Sequence, residues 1–304
     1  MNTLILLLLL TLIPYPHSKP DTDWSILNDG YIKIQYHDFD EEISLIVLSA
    51  IKSDFERIAI MVGYSGPPIA NIVISGSPEE FDGFTGSRLP SWSQASTDYE
   101  RSVIVLKSPT FSRVTEKELR RTVIHELTHF IIGATTLPNE VPRWFNEGLA
   151  VQMSGEEKFR SKIAISRALF TKSLIRLNEI EKILTFESER ANLAYAESRA
   201  AVMYLIETAG AGAVRLIIEK INSNQTFDAA FTEVTGVDPL EFEIEFRKDM
   251  KERYRYYFLA AADDYIWFLI PGLFILAYLA VKLKNRRIIS RWNLEDEEED
   301  GSFE

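Results

Sequence analysis

The segment from Thr115 to Phe130 constrains this chain more than any other. Thr115-x-x-Glu118 is a capping box, in which each side chain can satisfy the other residue's orphan amide, so a helix is predicted to begin there. Leu119, Val123, Leu127 and Phe130 then recur at helical spacing and form one apolar stripe that must be buried against something. Gly133 is expected to end the helix, where a left-handed residue is wanted. His125 and His129 lie one turn apart on the other face and can reach one metal ion together. Glu126 falls beside them, where a carboxylate can take a proton from a water. Two solvated histidines with a glutamate between them would give the same five residues, so the next segment decides.

Pro142-Arg143-Trp144-Phe145-Asn146-Glu147-Gly148-Leu149-Ala150 reads as a second helix, with proline acceptable in its first turn. A short loop, Ala134 to Val141, folds it back on the first. Glu147 on its inner face would then be a third protein ligand, although taken alone it reads as a solvated helix glutamate. Catalytic zinc keeps three protein ligands and leaves a fourth position for water, and His125, His129 and Glu147 make that set.

The segment His125-Glu126-Leu127-Thr128-His129, followed by Trp144-Phe145-Asn146-Glu147-Gly148-Leu149-Ala150, resembles the gluzincin metallopeptidases. Its second part is similar to the W-x-N-E-G-x-A stretch of zinc aminopeptidases in that clan. The compact size and Ala194-Tyr195-Ala196-Glu197-Ser198 look more like the small peptidase MA-like domains of bacteria. The resemblance covers residues 30 to 255, with only the two zinc segments sharp. It departs in two places: no G-x-M-E-N stretch, which holds a substrate's free amine in the aminopeptidases, lies upstream, and the position four after Glu147 is Val151. Thermolysin-like enzymes carry there an aspartate that orients a zinc histidine. The resemblance implies one Zn2+ held by His125, His129 and Glu147, with Glu126 as general base. It implies protein or peptide substrates, cut internally, given the missing amine site. Tyr195 is the oxyanion donor by analogy with the clan; a packed helix tyrosine, or Arg199 one turn later as donor, are the alternatives. Glu197 and Ser198 are expected to be structural. The rival from another class is a binding or scaffolding module that keeps the gluzincin fold without turnover.

Composition narrows the chemistry further. The chain has no cysteine, which excludes disulfides, thiolate metal ligands and a cysteine nucleophile. Of four histidines, His17 lies in the leader and His37 in an early strand or turn, leaving only the helical pair at metal spacing. Net charge is −12, partly because seven carboxylates crowd into Glu295 to Glu304. Lys and Arg are scattered, and nothing points to a nucleic-acid partner.

Residues 1–18 read as a signal peptide, from a ten-residue apolar run, Leu4 to Ile13, followed by Pro14, Pro16 and Ser18. An uncleaved anchor is the alternative, because no Lys or Arg precedes the run. A second apolar run, Tyr265 to Val281, holds 17 residues without a charge, and Lys282 extends it by snorkelling. Residues 265–283 are therefore expected to form a transmembrane helix, against the alternative of a buried terminal helix. Lys282, Lys284, Arg286, Arg287 and Arg291 place the acidic tail, 284–304, in the cytoplasm, with the domain outside. Eight residues, Tyr257 to Asp264, tether that domain, at most about 29 Å of chain. It is thus expected to act near the bilayer, on membrane-proximal substrates.

Between these segments, residues 19–258 read as one α+β domain. Tyr31 to Tyr36, Asn71 to Ser75 and Ser102 to Leu106 are predicted strands, and Asp40 to Val62 a helix. Phe81 to Tyr99 reads as a Gly-, Ser- and Pro-rich loop whose Phe81, Phe84 and Trp92 form a local core or line a cleft. After Gly155 the pattern is helical: Glu157 to Thr171, Ala191 to Thr208, Ala211 to Ile221, Phe227 to Thr235 and Pro239 to Tyr256. The resemblance puts a substrate-binding strand at the cleft rim, and Ser102 to Lys107 is in place for it, either with a free edge or with both edges paired.

Overall fold

The computed structural model describes residues 24–86, 89–99, 101–155, 158–257 and 270–286. The expected leader, the linker beyond residue 257, the first five residues of the apolar run and the tail beyond residue 286 lie outside them.

The fold is α+β, a five-stranded sheet followed by a helical lobe. β1 (Trp24–Asp29), β2 (Ile32–His37), β3 (Ala70–Ser75), β4 (Ala95–Asp98) and β5 (Val103–Lys107) lie in the order β1-β2-β3-β5-β4. The three central strands are parallel, and β1 and β4 run antiparallel along the two edges. The helices are α1 (Glu41–Val62), α2 (Pro78–Thr85), α3 (Pro109–Ser112), α4 (Glu116–Thr136) and α5 (Arg143–Ser154), then α6 (Lys158–Thr171), α7 (Ser188–Ala209), α8 (Ala213–Asn222), α9 (Phe227–Thr235) and α10 (Pro239–Tyr254).

Alternation along the strands divides the sheet into two faces. Ile72, Ile74, Ile104 and Leu106 point into the main core with α1, α4 and the helical lobe. Val73, Val103 and Val105 point the other way, onto Phe81 and Phe84 of α2. The aromatic segment after Ser75 is therefore more than a loop. Ser77 caps α2, Pro78 occupies its first turn, and Phe81 and Phe84 are the core of the smaller face.

Of the two alternatives for the strand expected at the cleft rim, the structure takes the second: β5 is interior, paired with both β3 and β4. The edge strand is β4, four residues taken from the segment read as a loop. Gly133 does not end its helix, which continues to Thr136. A Cβ at Gly133 would collide with the Tyr99 ring, so the glycine admits that ring against the helix.

Beyond the domain, residues 270–286 are helical. The apolar side chains of that segment are exposed, with Phe274 at 73% and Leu273 at 65%. Among the described residues no single helix is long and apolar enough to cross a membrane.

Candidate metal centre

α4 starts as its sequence dictates. Thr115 accepts from the Glu118 amide, Glu118 accepts from the Thr115 amide, and the box is closed. Leu119, Val123 and Leu127 are buried at 2% exposure or less, each worth about 1.5–3 kcal/mol of transfer free energy. That stripe fixes the rotation of the helix and turns His125 and His129 toward α5. On α5, Gly148 meets α7 so closely that a Cβ would strike the Ser198 carbonyl. The contact brings Glu147, one residue earlier, inside the molecule at 4% exposure.

His125, His129 and Glu147 converge as the sequence predicts. The two Nε2 atoms are 3.0 Å apart, and Glu147 Oε2 lies 3.3 Å from His125 Nε2 and 3.2 Å from His129 Nε2. Bonds of about 2.0–2.1 Å to a tetrahedral ion put ligand atoms roughly 3.3 Å apart, so the triangle already has the right size. Glu147 Oε2 is buried and has no hydrogen-bond partner. A buried carboxylate oxygen left in that state is costly, and a cation relieves it. The three side chains fit a metal ion.

The charges around the triangle agree. Burial would raise the Glu147 carboxyl, but the facing His129 and His125 outweigh it and hold the group well below the usual carboxylate range. Burial pulls His129 down, yet Glu147, Glu126 and Asn146 bring it up to about 9. A proton and a metal ion thus compete for the same atoms.

Four neighbours hold the centre in place, and none was assigned that role from sequence. His129 Nδ1 lies 2.7 Å from Asn146 Oδ1, which fixes that nitrogen as the donor and turns Nε2 into the triangle. Asn146 Nδ2 donates to the Tyr99 hydroxyl at 3.2 Å. Burial, first, pushes the Tyr99 phenol up to about 12, so it remains neutral. Arg143 Nη1 reaches the second carboxylate oxygen, Glu147 Oε1, at 3.3 Å and leaves Oε2 for the ion. Thr97 of β4 donates to Glu126 Oε2 at 2.7 Å. Asn146 stands next to Glu147 in the sequence, so adjacency to a ligand was the signal for it. Val151, at the position of the thermolysin-type aspartate, is buried at 1% and apolar.

Glu126 is 8% exposed and sits beside the triangle on α4. Tyr195 of α7 presents its ring edge-on to His125, centroids 6.0 Å apart, and edge-on to Trp92 at 6.4 Å. Trp92, whose indole donates to the Phe186 carbonyl, packs against the main core beside Tyr195, while Phe81 and Phe84 belong to the smaller face of the sheet. The charge of Arg199 acts on Tyr254 of α10. Glu197 is fully buried and accepts from the Ile175 amide at 3.0 Å, and Ser198 is fully buried at the crossing with Gly148. Both are structural. His37 ends β2, buried against Glu80 with Nε2 2.8 Å from Oε2, away from the triangle.

The sequence model described as the Peptidase MA superfamily matches residues 93–252, more than half of the chain, including His125, Glu126, His129, Glu147 and the four neighbours that hold them. No curated protein matches the chain.

Proposed function

Because the chain belongs to the peptidase MA superfamily, we propose that it is a zinc metallopeptidase, cutting within protein or peptide chains. One observation carries the reading: three ligand atoms of the right kind converge, one of them an orphaned carboxylate oxygen, and a further carboxylate stands beside them. His125, His129 and Glu147 would hold the zinc. Bound there, zinc supplies Lewis acidity, bringing the pKa of a water toward 7 and polarising a carbonyl.

The chain's own residues do the rest. Glu126 takes the proton of the attacking water and passes it to the departing amine nitrogen. Thr97 keeps one Glu126 oxygen engaged and so fixes where the other points. Tyr195 is the candidate donor to the developing oxyanion, worth several kcal/mol if it reaches that oxygen. β4, an edge strand bonded to the general base, suits an extended substrate paired through its main chain. The domain is anchored by its carboxyl-terminal apolar helix, whose exposed side chains (Ile270, Leu273, Phe274, Ile275) suit lipid and whose basic end (Lys282, Lys284, Arg286) suits a cytoplasmic surface. Its substrates then lie close to the bilayer.

The test uses the full chain and a mixed peptide library. Wild-type protein as purified carries one zinc per chain and cuts the library. His129→Ala loses the metal. Glu126→Gln keeps the metal and falls in rate by roughly 10²–10⁴-fold. A zinc-loaded wild type that cuts nothing would identify a scaffold.

A further inference from the structure

β4 has two sides with different neighbours. Ala95 belongs to the main core and Thr97 bonds Glu126, so this side faces α4 and the metal centre. Ser96 and Asp98, by strand alternation, face the α2 side. There Phe84, Thr85, Ser96, Asp98, Arg101 and Val105 line a pocket of about 270 Å³ that Thr97 also borders.

The main chain of β4 is directed too. The Lys107 amide donates to the Gln94 carbonyl at 3.0 Å, in the register that pairs Ala95 with Leu106. Antiparallel alternation then turns the amides and carbonyls of Ser96 and Asp98 toward β5, and those of Ala95 and Thr97 outward. The Ala95 carbonyl already accepts from the Ser93 hydroxyl at 2.9 Å. Thr97 is the residue of β4 left to pair with an added strand through both groups.

We propose that this pocket selects one uncharged, bulky side chain of an extended substrate paired with Thr97, an inference that rests on the peptidase reading. Residues directly opposite in a ladder share a face. The substrate residue opposite Thr97 therefore points to the metal side, and its neighbours point over the pocket. Phe84 and Val105 give the pocket an apolar wall. Its charges are already matched: Arg101 Nε donates to Asp98 Oδ2 at 2.8 Å, and Arg101 Nη2 donates to the Phe84 carbonyl at 2.6 Å. A charged side chain would have to break that pair, whereas an aliphatic or aromatic one would not. Main-chain pairing gives affinity without regard to sequence, and the pocket adds the selection.

The experiment profiles cleavage by the full-length, zinc-loaded chain on a proteome-derived peptide mixture, with cut sites read by mass spectrometry. One position of the wild-type profile favours Leu, Met or Phe. Ser96→Trp fills the pocket from β4 and Thr85→Phe from α2, with melting temperatures checking that each is folded. In these variants the preference at that one position moves to Gly and Ala. kcat/KM for a peptide with Leu there falls at least tenfold, while its Gly counterpart is cut at the wild-type rate. Folded variants with the wild-type profile, or a wild type without any preference, would overturn the pocket and leave the peptidase reading standing. A wild type that cuts no peptide would overturn both.

Discussion

Asn146 Oδ1 sits 2.7 Å from His129 Nδ1, so the residue before one metal ligand orients another. α4 and α5 are thereby joined by a hydrogen bond as well as by packing. Asn146→Ala removes the acceptor and also leaves the Tyr99 hydroxyl without that donor. Zinc affinity is expected to fall by about 10–100-fold, the usual range for such partners, with the fold kept. Competition with a chromophoric chelator measures it. Unchanged affinity would mean that packing alone aims the ring.

Gly133→Ala tests the Tyr99 contact through the sign of its effect. In an ordinary helix interior, Gly to Ala stabilises by up to about 1 kcal/mol. Here the added methyl meets the Tyr99 ring, and overpacking of this kind costs about 1–3 kcal/mol. Thermal melting is expected to show a loss in the wild-type background and none when the same change is made on top of Tyr99→Ala. A stabilised single variant would remove Tyr99 from its place against α4.

Glu197 gives the domain a pH dependence. Burial, the largest cause, raises its carboxyl to about 8, while the unfolded chain ionises it near the ordinary 4.5. Between those values the unfolded state has released the proton and the folded state has not. Stability from this group is therefore full below about pH 4.5 and declines as pH rises, by up to ~1.4 kcal/mol per unit. Glu197→Gln, which can still accept from the Ile175 amide, should melt above wild type at pH 8 and level with it at pH 4.5. Parallel curves for the two proteins would show that Glu197 ionises normally in the fold.

The exposed apolar helix is tested by fractionation. Full-length chain is expected in the membrane pellet, resistant to carbonate extraction, and a chain stopped at residue 262 in the supernatant. Recovery of both in the supernatant would leave that helix to a protein partner. If the shortened chain processed the natural substrate as well as the anchored one, proximity to the bilayer would not matter.

What could be read from the sequence was what is local. The capping box, the 3.6-residue stripe and the four-residue spacing of His125 and His129 all lie within α4 and need no other element. Glu147 was found because its segment repeats a known pattern. β4 could not be found in that way. Ala-Ser-Thr-Asp has no apolar alternation, and it is a strand only because it pairs with β5. Thr97 and Tyr99 reach the centre through that pairing, so they were hidden with it. The mistaken helix end at Gly133 has the same origin: the residue that explains the glycine is 34 positions away, just beyond β4. α2, by contrast, was announced by Ser77-Pro78, a cap and a first-turn proline, and the aromatic residues after it obscured the signal.

A sheet edge open to substrate is open to any other extended chain, including another copy of this one. β4 limits that exposure by its length. Four residues, with the Ala95 carbonyl already occupied, offer a rung or two of ladder, too little to hold two proteins together. A bound peptide has the metal and its own side chains to add to those rungs, whereas a neighbouring copy has only the rungs. Crowded together, such molecules can remain receptive to substrate without seeding fibres.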